Sequence, residues 1–215
     1  MKIIILGAPG AGKGTQAEQL EAYLRVPTIS TGMMVRKAIR EQTEFGKLSK
    51  EYIDNGQLVP DDAMIKVLDE RLRDKDCRHG FILDGYPRTV HQAKDLENKG
   101  IIIDKVLSVE VPDELIVERL SGRLECKECG ASYHIKYRAP RDEGMCDVCD
   151  IPLVRRDDDI PEIIKKRLEA YHEKTAPLKE YYASSGKLCV AKGQGDIKDT
   201  IRVVFEVLGL GVADN

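Results

Sequence analysis

The residues best suited to phosphate chemistry follow the first apolar run of the chain. Residues 7–15 read GAPGAGKGT and come directly after KIIIL. Glycines let a backbone turn tightly and point its N–H groups at an anion, and Lys13 adds an ammonium group for outer phosphates. The common loop, G-x-x-x-x-G-K-[ST], has a hydroxyl directly after the lysine. Here Gly14 takes that place and Thr15 follows, so the segment predicts a variant phosphate loop, with an ordinary glycine turn as the alternative.

A second candidate lies in FILDGYPRT, residues 81–89, where an apolar run ends in Asp84. A carboxylate at the carboxyl end of a strand, near a phosphate loop, commonly helps to hold Mg²⁺ or its water ligands. The alternative is a turn-forming Asp-Gly pair. The neighbouring phosphate loop favours the metal-related interpretation.

Arginines form the third signal, because the planar guanidinium suits bidentate phosphate binding. Arg119 and Arg123 are four residues apart and would share one face of a helix. Others stand at element ends or beside glycine and aspartate turns, namely Arg36, Arg88, Arg156 and Arg167. Any one of them could be a solvated surface residue, and spacing alone does not show that they converge.

Two C-x2-C pairs predict a metal site. CKEC at 126–129 and CDVC at 146–149 are sixteen residues apart, and this spacing suits a tetrahedral four-thiolate site formed by Cys126, Cys129, Cys146 and Cys149. Zinc is the expected ion, although iron can occupy a similar cage. A closed shell of four sulfurs leaves no open position, so the metal would be structural. The alternatives are reduced thiols, disulfides, or a ligand role for His134.

The other two cysteines, Cys77 and Cys189, have no partner at a comparable spacing. They are predicted to be small buried apolar residues.

The elements that position these residues alternate between strands and helices. Buried strands are predicted at 2–6, 26–30, 81–85, 104–111 and 187–191. Helices are predicted at 13–24, from a cap at Asp61 or Asp62 to about Arg73, from Pro112–Asp113 to about Gly122, and over a long stretch interrupted near Pro177. This alternation indicates an α/β fold with a parallel sheet and helices on both faces.

Two stretches break the alternation. Residues 30–59 offer two helices with no sheet strand between them, and residues 122–159 are short, polar, cysteine-bearing and interrupted by prolines and glycine. We expect both to be insertions on one core, which is then composed of residues 1–29, 60–121 and 160–215.

Composition sets the broad class. The chain has 215 residues, 42% hydrophobic and 33% charged, which fits a folded globular protein. A net charge of −3 argues against a nucleic-acid binder, and no apolar run reaches the roughly 18 residues of a membrane helix. No signal-peptide pattern is evident at the start. We therefore expect a cytoplasmic monomer that has no nucleic-acid or membrane partner and whose cysteines stay reduced or hold a metal.

Several motifs, in order along nearly the whole chain, resemble one family. They are GAPGAGKGTQ, TG with Arg36 nearby, DNGQLVPDD, LDGYPRT with Gln92, RLSGR, CGASYH, RRDD and KKRLEAYHEKTAPLKEYY. The chain resembles the adenylate kinases, of the long type whose lid carries a zinc knuckle. The resemblance implies a five-stranded parallel P-loop core, an AMP-binding insertion at 30–59 and a metal-binding lid over ATP at 122–159.

The same resemblance implies the site residues, position by position. ATP would contact Gly10, Ala11, Gly12, Lys13, Gly14, Thr15, Arg119, Arg123, Ser132, Tyr133 and the backbone near Gly195. AMP would contact Thr31, Arg36, Gln57, Leu58, Val59, Gly85, Tyr86, Pro87, Arg88, Gln92, Arg156 and Arg167. The catalytic groups would be Lys13, Asp84, Arg88, Arg123, Arg156 and Arg167. Asp158 and Asp159 look like an acidic pair on the hinge side of the lid.

The resemblance also explains the displaced hydroxyl. The loop is similar to G-x-x-G-x-G-K-G-T of nucleoside monophosphate kinases, in which Gly14 would let the backbone approach the phosphates and Thr15 would bond an inner phosphate. Our hypothesis is that Mg²⁺ is held mostly by nucleotide phosphates and water, with Asp84 behind. The chain departs from the family at Met33, where an acidic or amide residue is common, and the sequence offers no physical reason for it.

The implied activity is reversible, Mg²⁺-dependent, in-line phosphoryl transfer, ATP + AMP = 2 ADP. Its acceptor is already an anion, so the reaction needs positioning, charge neutralisation and water exclusion more than a base. Alternatives are a kinase of GMP, UMP or CMP, a zinc-ribbon nucleic-acid module fused to an ATPase, and a nucleotide-binding regulator without turnover. Thr31 and Gln92 favour adenine in the monophosphate site.

Overall fold

The fold is centred on a parallel sheet. In the computed structural model, which describes residues 1–211, five strands pair in the order β2-β3-β1-β4-β7. The strands are β1 (Lys2–Leu6), β2 (Thr28–Ser30), β3 (Phe81–Asp84), β4 (Lys105–Glu110) and β7 (Leu188–Lys192). All four pairings are parallel. The predicted α/β class and five-stranded parallel sheet are confirmed, and the strand bounds differ from the predicted ones by at most two residues.

The central strand shows why the chain folds this way. Ile3 and Ile5 pack into one apolar cluster, whereas Ile4 and Leu6 pack into another. None of these side chains is more than 3% exposed. A continuous apolar run suits a strand that is covered on both faces, since successive side chains point to opposite sides of the sheet.

Helices cover both faces of the sheet. The helices of the described residues are α1 (Lys13–Leu24), α2 (Thr31–Arg40), α3 (Glu44–Asp54), α4 (Asp61–Leu72), α5 (Val90–Asn98), α6 (Asp113–Ser121), α7 (Pro161–Ala170), α8 (Leu178–Ala183) and α9 (Ile197–Leu208). A short 3₁₀ helix spans Lys75–His79. Helices α1 and α9 lie against one face, and α2, α4, α5 and α8 contribute to the cluster on the other.

Two helix predictions need correction. Neither Asp61 nor Asp62 caps α4, because the cap residue is Pro60 and no side chain bonds the free N–H groups there. Arg119 and Arg123 do not share a helix face, because α6 ends at Ser121 and Arg123 begins the short strand β5 (Arg123–Glu125).

The predicted interruption of the long C-terminal helix near Pro177 is confirmed, since Tyr171–Thr175 form a π-helical turn between α7 and α8. Pro177 has no N–H to donate and stands directly before α8.

Residues 30–59 hold α2 and α3, which pack closely. Gly46 makes this possible, since a Cβ built on it would lie 2.0 Å from the Ala38 carbonyl oxygen. Thr43 starts α3, with its hydroxyl oxygen accepting from the Gly46 N–H at 3.0 Å.

Residues 122–159 form a small unit beside the sheet. Strands β5 (Arg123–Glu125) and β6 (Ser132–His134) pair antiparallel. A bridge between Glu125 and Val154 adds a further connection. The apolar interior is small and is built around Cys126, Tyr133 and Cys146. Such a unit buries too little apolar surface to be stable alone without a cross-link.

Within the described part of the chain, no helix combines the length and apolar character that a membrane crossing requires.

Candidate active site

One cavity of about 550 Å³ lies at the carboxyl end of β1. Its walls include residues of the sheet and its covering helices, of the helical insertion at 30–59 and of the cysteine-bearing unit at 122–159. Ligands commonly bind at this end of a parallel α/β sheet. The structure brings together nearly all of the predicted nucleotide residues in its walls: Gly10, Ala11, Gly12, Lys13, Gly14, Thr15, Thr31, Arg36, Gln57, Leu58, Val59, Asp84, Gly85, Pro87, Arg88, Gln92, Arg119, Arg123, Ser132, Tyr133, Arg156, Arg167 and Gly195.

Tyr86 is the exception. Its side chain is 1% exposed, belongs to an apolar cluster of the core and does not line the cavity. The predicted contact of Tyr86 with AMP is therefore not made by a side chain on the cavity wall, and a contact through its backbone stays a prediction. Tyr86 instead donates from its hydroxyl to the Gln92 carbonyl oxygen at 3.4 Å, which ties the loop after β3 to helix α5.

The glycine loop is shaped by close approaches and by positive φ angles. Gly7 has φ +148°, and a Cβ there would lie 2.6 Å from the Val109 carbonyl oxygen. Gly10 has φ +82°, and a Cβ there would lie 2.8 Å from Leu120. Gly14 differs, because a Cβ built on it would meet no protein atom within 4 Å. Packing within the protein therefore does not require glycine at position 14. The expectation that Gly14 lets the backbone come close to a phosphate is a separate reason for glycine there.

Lys13 is held inside the loop. Its ammonium group donates to the carbonyl oxygens of Gly7 at 2.8 Å and Ala8 at 2.9 Å. Burial lowers the pKa of Lys13 to about 8, Asp84 opposes the shift, and Arg88 and other arginines add to it. An anionic phosphate placed here would stabilise the charged form and raise the pKa again.

Asp84 ends β3 next to the central strand, with Ile5 as its register partner. Its carboxylate accepts from the Ser30 hydroxyl at 3.3 Å and lies on the cavity wall. It is the group that most favours the charged form of Lys13. This placement suits a carboxylate that orders water or a cation close to the phosphate loop.

The loop after β3 holds Arg88. Its Nε donates to the Gly85 carbonyl oxygen at 2.8 Å, and the Thr31 hydroxyl donates to the same oxygen at 2.8 Å. Gly85 has φ +80°, and a Cβ there would lie 2.8 Å from the Thr31 hydroxyl oxygen. Burial and the nearby Arg167 lower the pKa of Arg88. An anion that entered the cavity would favour the charged form of Arg88 and oppose this shift.

Asp159 fixes two arginines at once. Its side chain is 1% exposed and accepts from Arg123 Nε at 2.7 Å and from Arg167 Nη1 at 3.0 Å. Arg167 also pairs with Asp158 Oδ2 at 2.9 Å. The predicted acidic pair thus holds two guanidinium groups at the cavity wall. Because the buried carboxylate already orients these two guanidinium groups, a bound phosphate would have less side-chain motion to restrict.

Glu125 was missed by sequence reasoning. Its carboxylate contacts Arg156 and lies 3.3 Å from Arg36 Nε, so it joins residues 122–159 to helix α2. Burial, together with repulsion from Arg123 and Arg36, lowers the pKa of Arg156 to about 9. No local pattern marks Glu125, because both of its partners are distant in sequence.

Two aromatic wall residues were also missed. His134 and Tyr137 line the cavity, and the Arg119 guanidinium lies 5.9 Å from the centroid of the Tyr137 ring. Arg119 also donates to the Gln194 carbonyl oxygen at 3.2 Å, next to Gly195. A guanidinium over an aromatic ring makes a cation–π contact, which holds Arg119 and Tyr137 together at the cavity wall. The aromatic-rich stretch SYHIKY at 132–137 is the signal that could have identified these residues.

Met33 contacts the cysteine-bearing unit. Its side chain is 44% exposed, and a Cβ built on Gly130 would lie 2.6 Å from its methyl carbon. The nearby Arg40 guanidinium donates to the Lys127 carbonyl oxygen, so helix α2 meets the first cysteine turn at both places. At the position where the resembled family commonly has a polar residue, the structure shows an apolar contact.

The four paired cysteines gather in one cluster, with all sulfur atoms within 4.8 Å of one another. The two C-x2-C turns have the same backbone hydrogen-bond pattern. The Cys126 and Cys146 N–H groups donate to Ala131 and Ile151, and their carbonyls accept from Gly130 and Asp150, each at 2.9 Å. Burial raises the pKa of Cys146, but N–H groups of Val148 and Cys149 outweigh it and lower the pKa. The donor set fits a soft four-coordinate metal ion.

His134 is not part of the cluster found among the described residues. Its Nδ1 instead accepts from the Lys136 N–H at 2.9 Å and the Tyr137 N–H at 3.1 Å. The alternative of a histidine ligand is therefore wrong. Cys77 is buried, as expected, whereas Cys189 is only partly buried in β7.

Comparison with known proteins gives a consistent family assignment. The family model described as adenylate kinase matches residues 5–187. The adenylate kinases of Caldicellulosiruptor saccharolyticus and Caldicellulosiruptor bescii are each 54% identical over 214 residues, which covers 98% of this chain and 100% of the relative. The adenylate kinase of Lachnospira eligens is 46% identical, with 97% of this chain and 100% of the relative covered.

Proposed function

The chain belongs to the adenylate kinase family of nucleoside monophosphate kinases, and on that premise we propose that it catalyses ATP + AMP = 2 ADP. The transfer is reversible, Mg²⁺-dependent and in line. The observation that carries the proposal is the convergence of Lys13 and the arginines, from distant parts of the chain, on one cavity beside the glycine loop. Two nucleotides meeting end to end would place their phosphates there.

The chemistry follows from the charges. An oxygen of the AMP phosphate attacks the γ-phosphorus of ATP, and the bond from that phosphorus to the bridging oxygen breaks, leaving two ADP molecules. The acceptor oxygen is already anionic at neutral pH, so no side chain has to remove a proton. Lys13 and Arg88 lie at the junction of the two sites. They offset the repulsion between the approaching phosphates and the charge that spreads over the transferred group.

The remaining arginines hold the phosphates in line. Arg123 and Arg167 are oriented by Asp159, and Arg156 extends from the cysteine-bearing unit. Fixed donors lose little freedom when the phosphates arrive, so alignment accounts for much of the rate. We assign Arg36, Arg88, Arg156 and Arg167 to the AMP side and Arg119 and Arg123 to the ATP side.

Mg²⁺ would enter with ATP. It would neutralise phosphate charge and leave the γ-phosphorus more open to attack. Asp84 fits the role of holding its water ligands, since its carboxylate faces the cavity next to the phosphate loop.

We assign a separate role to each segment of the chain. Residues 1–29, 60–121 and 160–215 form the core, residues 30–59 cover AMP, and residues 122–159 act as a lid that keeps water from the γ-phosphate. The four cysteines of the lid would hold a structural zinc ion, because their sulfur atoms lie close together. Because the cysteines do not line the cavity, this metal takes no direct part in the chemistry.

The test is turnover by the purified enzyme with ATP, Mg²⁺ and each of AMP, GMP, UMP and CMP. We expect ADP formation with AMP at a kcat/KM far above that with the other three. Preferred turnover of another monophosphate would replace the proposed substrate, and loss of the Mg²⁺ requirement would refute that part of the mechanism. A monomer in the cytoplasm is the state that we propose, and size-exclusion chromatography tests the first half of it.

A further inference from the structure

The amide of Gln92 is held at both ends. This side chain lines the cavity on the side proposed for AMP, yet Gln92 is only 2% exposed. Its Oε1 accepts from the Arg88 backbone N–H at 2.7 Å, and its Nε2 donates to Asp61 Oδ1 at 2.7 Å. A buried amide with two short hydrogen bonds has little freedom to rotate.

The two partners allow one orientation of that amide. A backbone N–H can only donate, so the atom facing Arg88 must be the Gln92 carbonyl oxygen. An ionised carboxylate can only accept, so the atom facing Asp61 must be the Gln92 nitrogen. Turning the amide over would place donor against donor and acceptor against acceptor, and would lose both hydrogen bonds.

Asp61 is itself fixed in place. Its second oxygen, Oδ2, accepts from the Thr89 hydroxyl at 2.7 Å. Thr89 caps helix α5, where its hydroxyl oxygen accepts from the Gln92 N–H at 3.2 Å. Asp61 is the first residue of α4 and therefore links the starts of two helices to the amide. Both carboxylate oxygens of Asp61 therefore bond groups outside its own helix.

After these bonds, the Gln92 amide keeps one N–H hydrogen and one acceptor lone pair on its carbonyl oxygen. Adenine presents the complementary pair on adjacent atoms, namely the N1 acceptor and the 6-amino donor. Hypoxanthine and guanine present the opposite pair, an N1–H donor and an O6 acceptor. A site with fixed donors and acceptors rejects a ligand that presents the reverse pattern, because buried polar groups would be left unpaired.

We propose that Asp61 is a positioning residue for base specificity in the monophosphate site. It holds Gln92 in the orientation that recognises a 6-amino purine and opposes a 6-oxo purine. The inference rests on the proposed function and adds to it a residue that, together with the Arg88 N–H, favours adenine over hypoxanthine without touching either base.

The test compares AMP with inosine monophosphate, which have the same ribose and phosphate and differ only in the groups at positions 6 and 1 of the base. Asp61→Asn keeps the shape but can turn a donor towards Gln92. We expect the AMP-to-IMP ratio of kcat/KM to fall by about tenfold or more, because one amide bond no longer enforces the orientation. The change lies in the KM values of the two monophosphates, and the KM for ATP stays the same.

Asp62→Asn is the matched control. Asp62 is the next residue of the same helix and its side chain is fully exposed, so this variant removes the same charge without touching Gln92. We expect it to keep the wild-type ratio. Asp61→Ala removes the acceptor without adding a donor and must also lower the ratio, which covers the case in which the asparagine variant fails to fold.

Equal losses for AMP and IMP would show that Asp61 supports the fold only, and would overturn the proposal. An unchanged ratio in both folded variants, Asp61→Asn and Asp61→Ala, would also overturn it. The ratio of dissociation constants for AMP and IMP, measured by calorimetry, decides the inference independently of turnover. A wild-type enzyme that discriminates in binding but forms no ADP would contradict the proposed function and leave the inference standing.

Discussion

At the scale of single residues, Lys13 carries the largest share of the proposed chemistry. It is the one lysine of the glycine loop, and four charged cavity residues act on its pKa. Its ammonium group now bonds only loop carbonyls, which are weak partners compared with phosphate oxygens. Removing it should cost catalysis more than stability.

We predict that Lys13→Ala lowers kcat by roughly 10²–10³-fold, as expected for a group that stabilises charge developing in a transition state. The melting temperature should not fall, because the ammonium group bonds only two loop carbonyls and its partial desolvation is removed with it. Lys50→Ala is the control, since that lysine is exposed and does not line the cavity. Normal turnover by Lys13→Ala would refute the assigned role.

The lowered pKa of Lys13 predicts a pH dependence with a definite sign. The free enzyme loses the Lys13 proton as the pH rises through about 8, so kcat/KM for ATP should fall above that pH. Bound phosphates raise the pKa, so kcat should decline only at higher pH. Initial rates from pH 6 to 10, at limiting and saturating ATP, give both profiles. If kcat/KM for ATP and kcat began to fall at the same pH, the assigned role of Lys13 would be contradicted.

At the scale of elements, the matched cysteine turns explain how the small unit of residues 122–159, the proposed lid, can stay folded. The apolar interior around Tyr133 is small, and the Tyr133 hydroxyl accepts from the Asp147 N–H at 2.9 Å. A metal ion bound by four sulfurs would supply the missing cross-link, since binding free energy becomes folding free energy when no site exists in the unfolded chain.

We predict that removal of the metal lowers stability more than it lowers the initial rate. Stripping the ion with a chelator should reduce the melting temperature by roughly 4–8 °C, which corresponds to a loss of about 2 kcal/mol in a protein of this size. Initial rates at low temperature should change much less. Metal analysis of the purified protein distinguishes zinc from iron. If the stripped enzyme kept its fold and lost all turnover, the metal would not be structural.

At the scale of the whole molecule, local patterns are correctly predicted from the sequence, and the resemblance predicts which distant residues meet at the cavity, but individual contacts between distant side chains are not predicted. The apolar run before Gly7, the lysine of the loop and the C-x2-C spacing each occupy one short stretch, so the sequence was sufficient to predict them. Glu125 and Asp61 act on residues distant in the chain, and only the packing of separate helices and strands brings those partners together. Burial of Tyr86 was missed for the same reason.

The central claim is that cationic side chains from three parts of the chain surround one cavity in which two nucleotides exchange a phosphoryl group. The most direct measurement is the stoichiometry of the reaction with ATP, AMP and Mg²⁺, followed by chromatographic separation of the nucleotides. The account predicts two ADP formed for each ATP and each AMP consumed, no free phosphate, and no consumption of ATP when AMP is omitted. Release of free phosphate, or ATP loss without AMP, would contradict it.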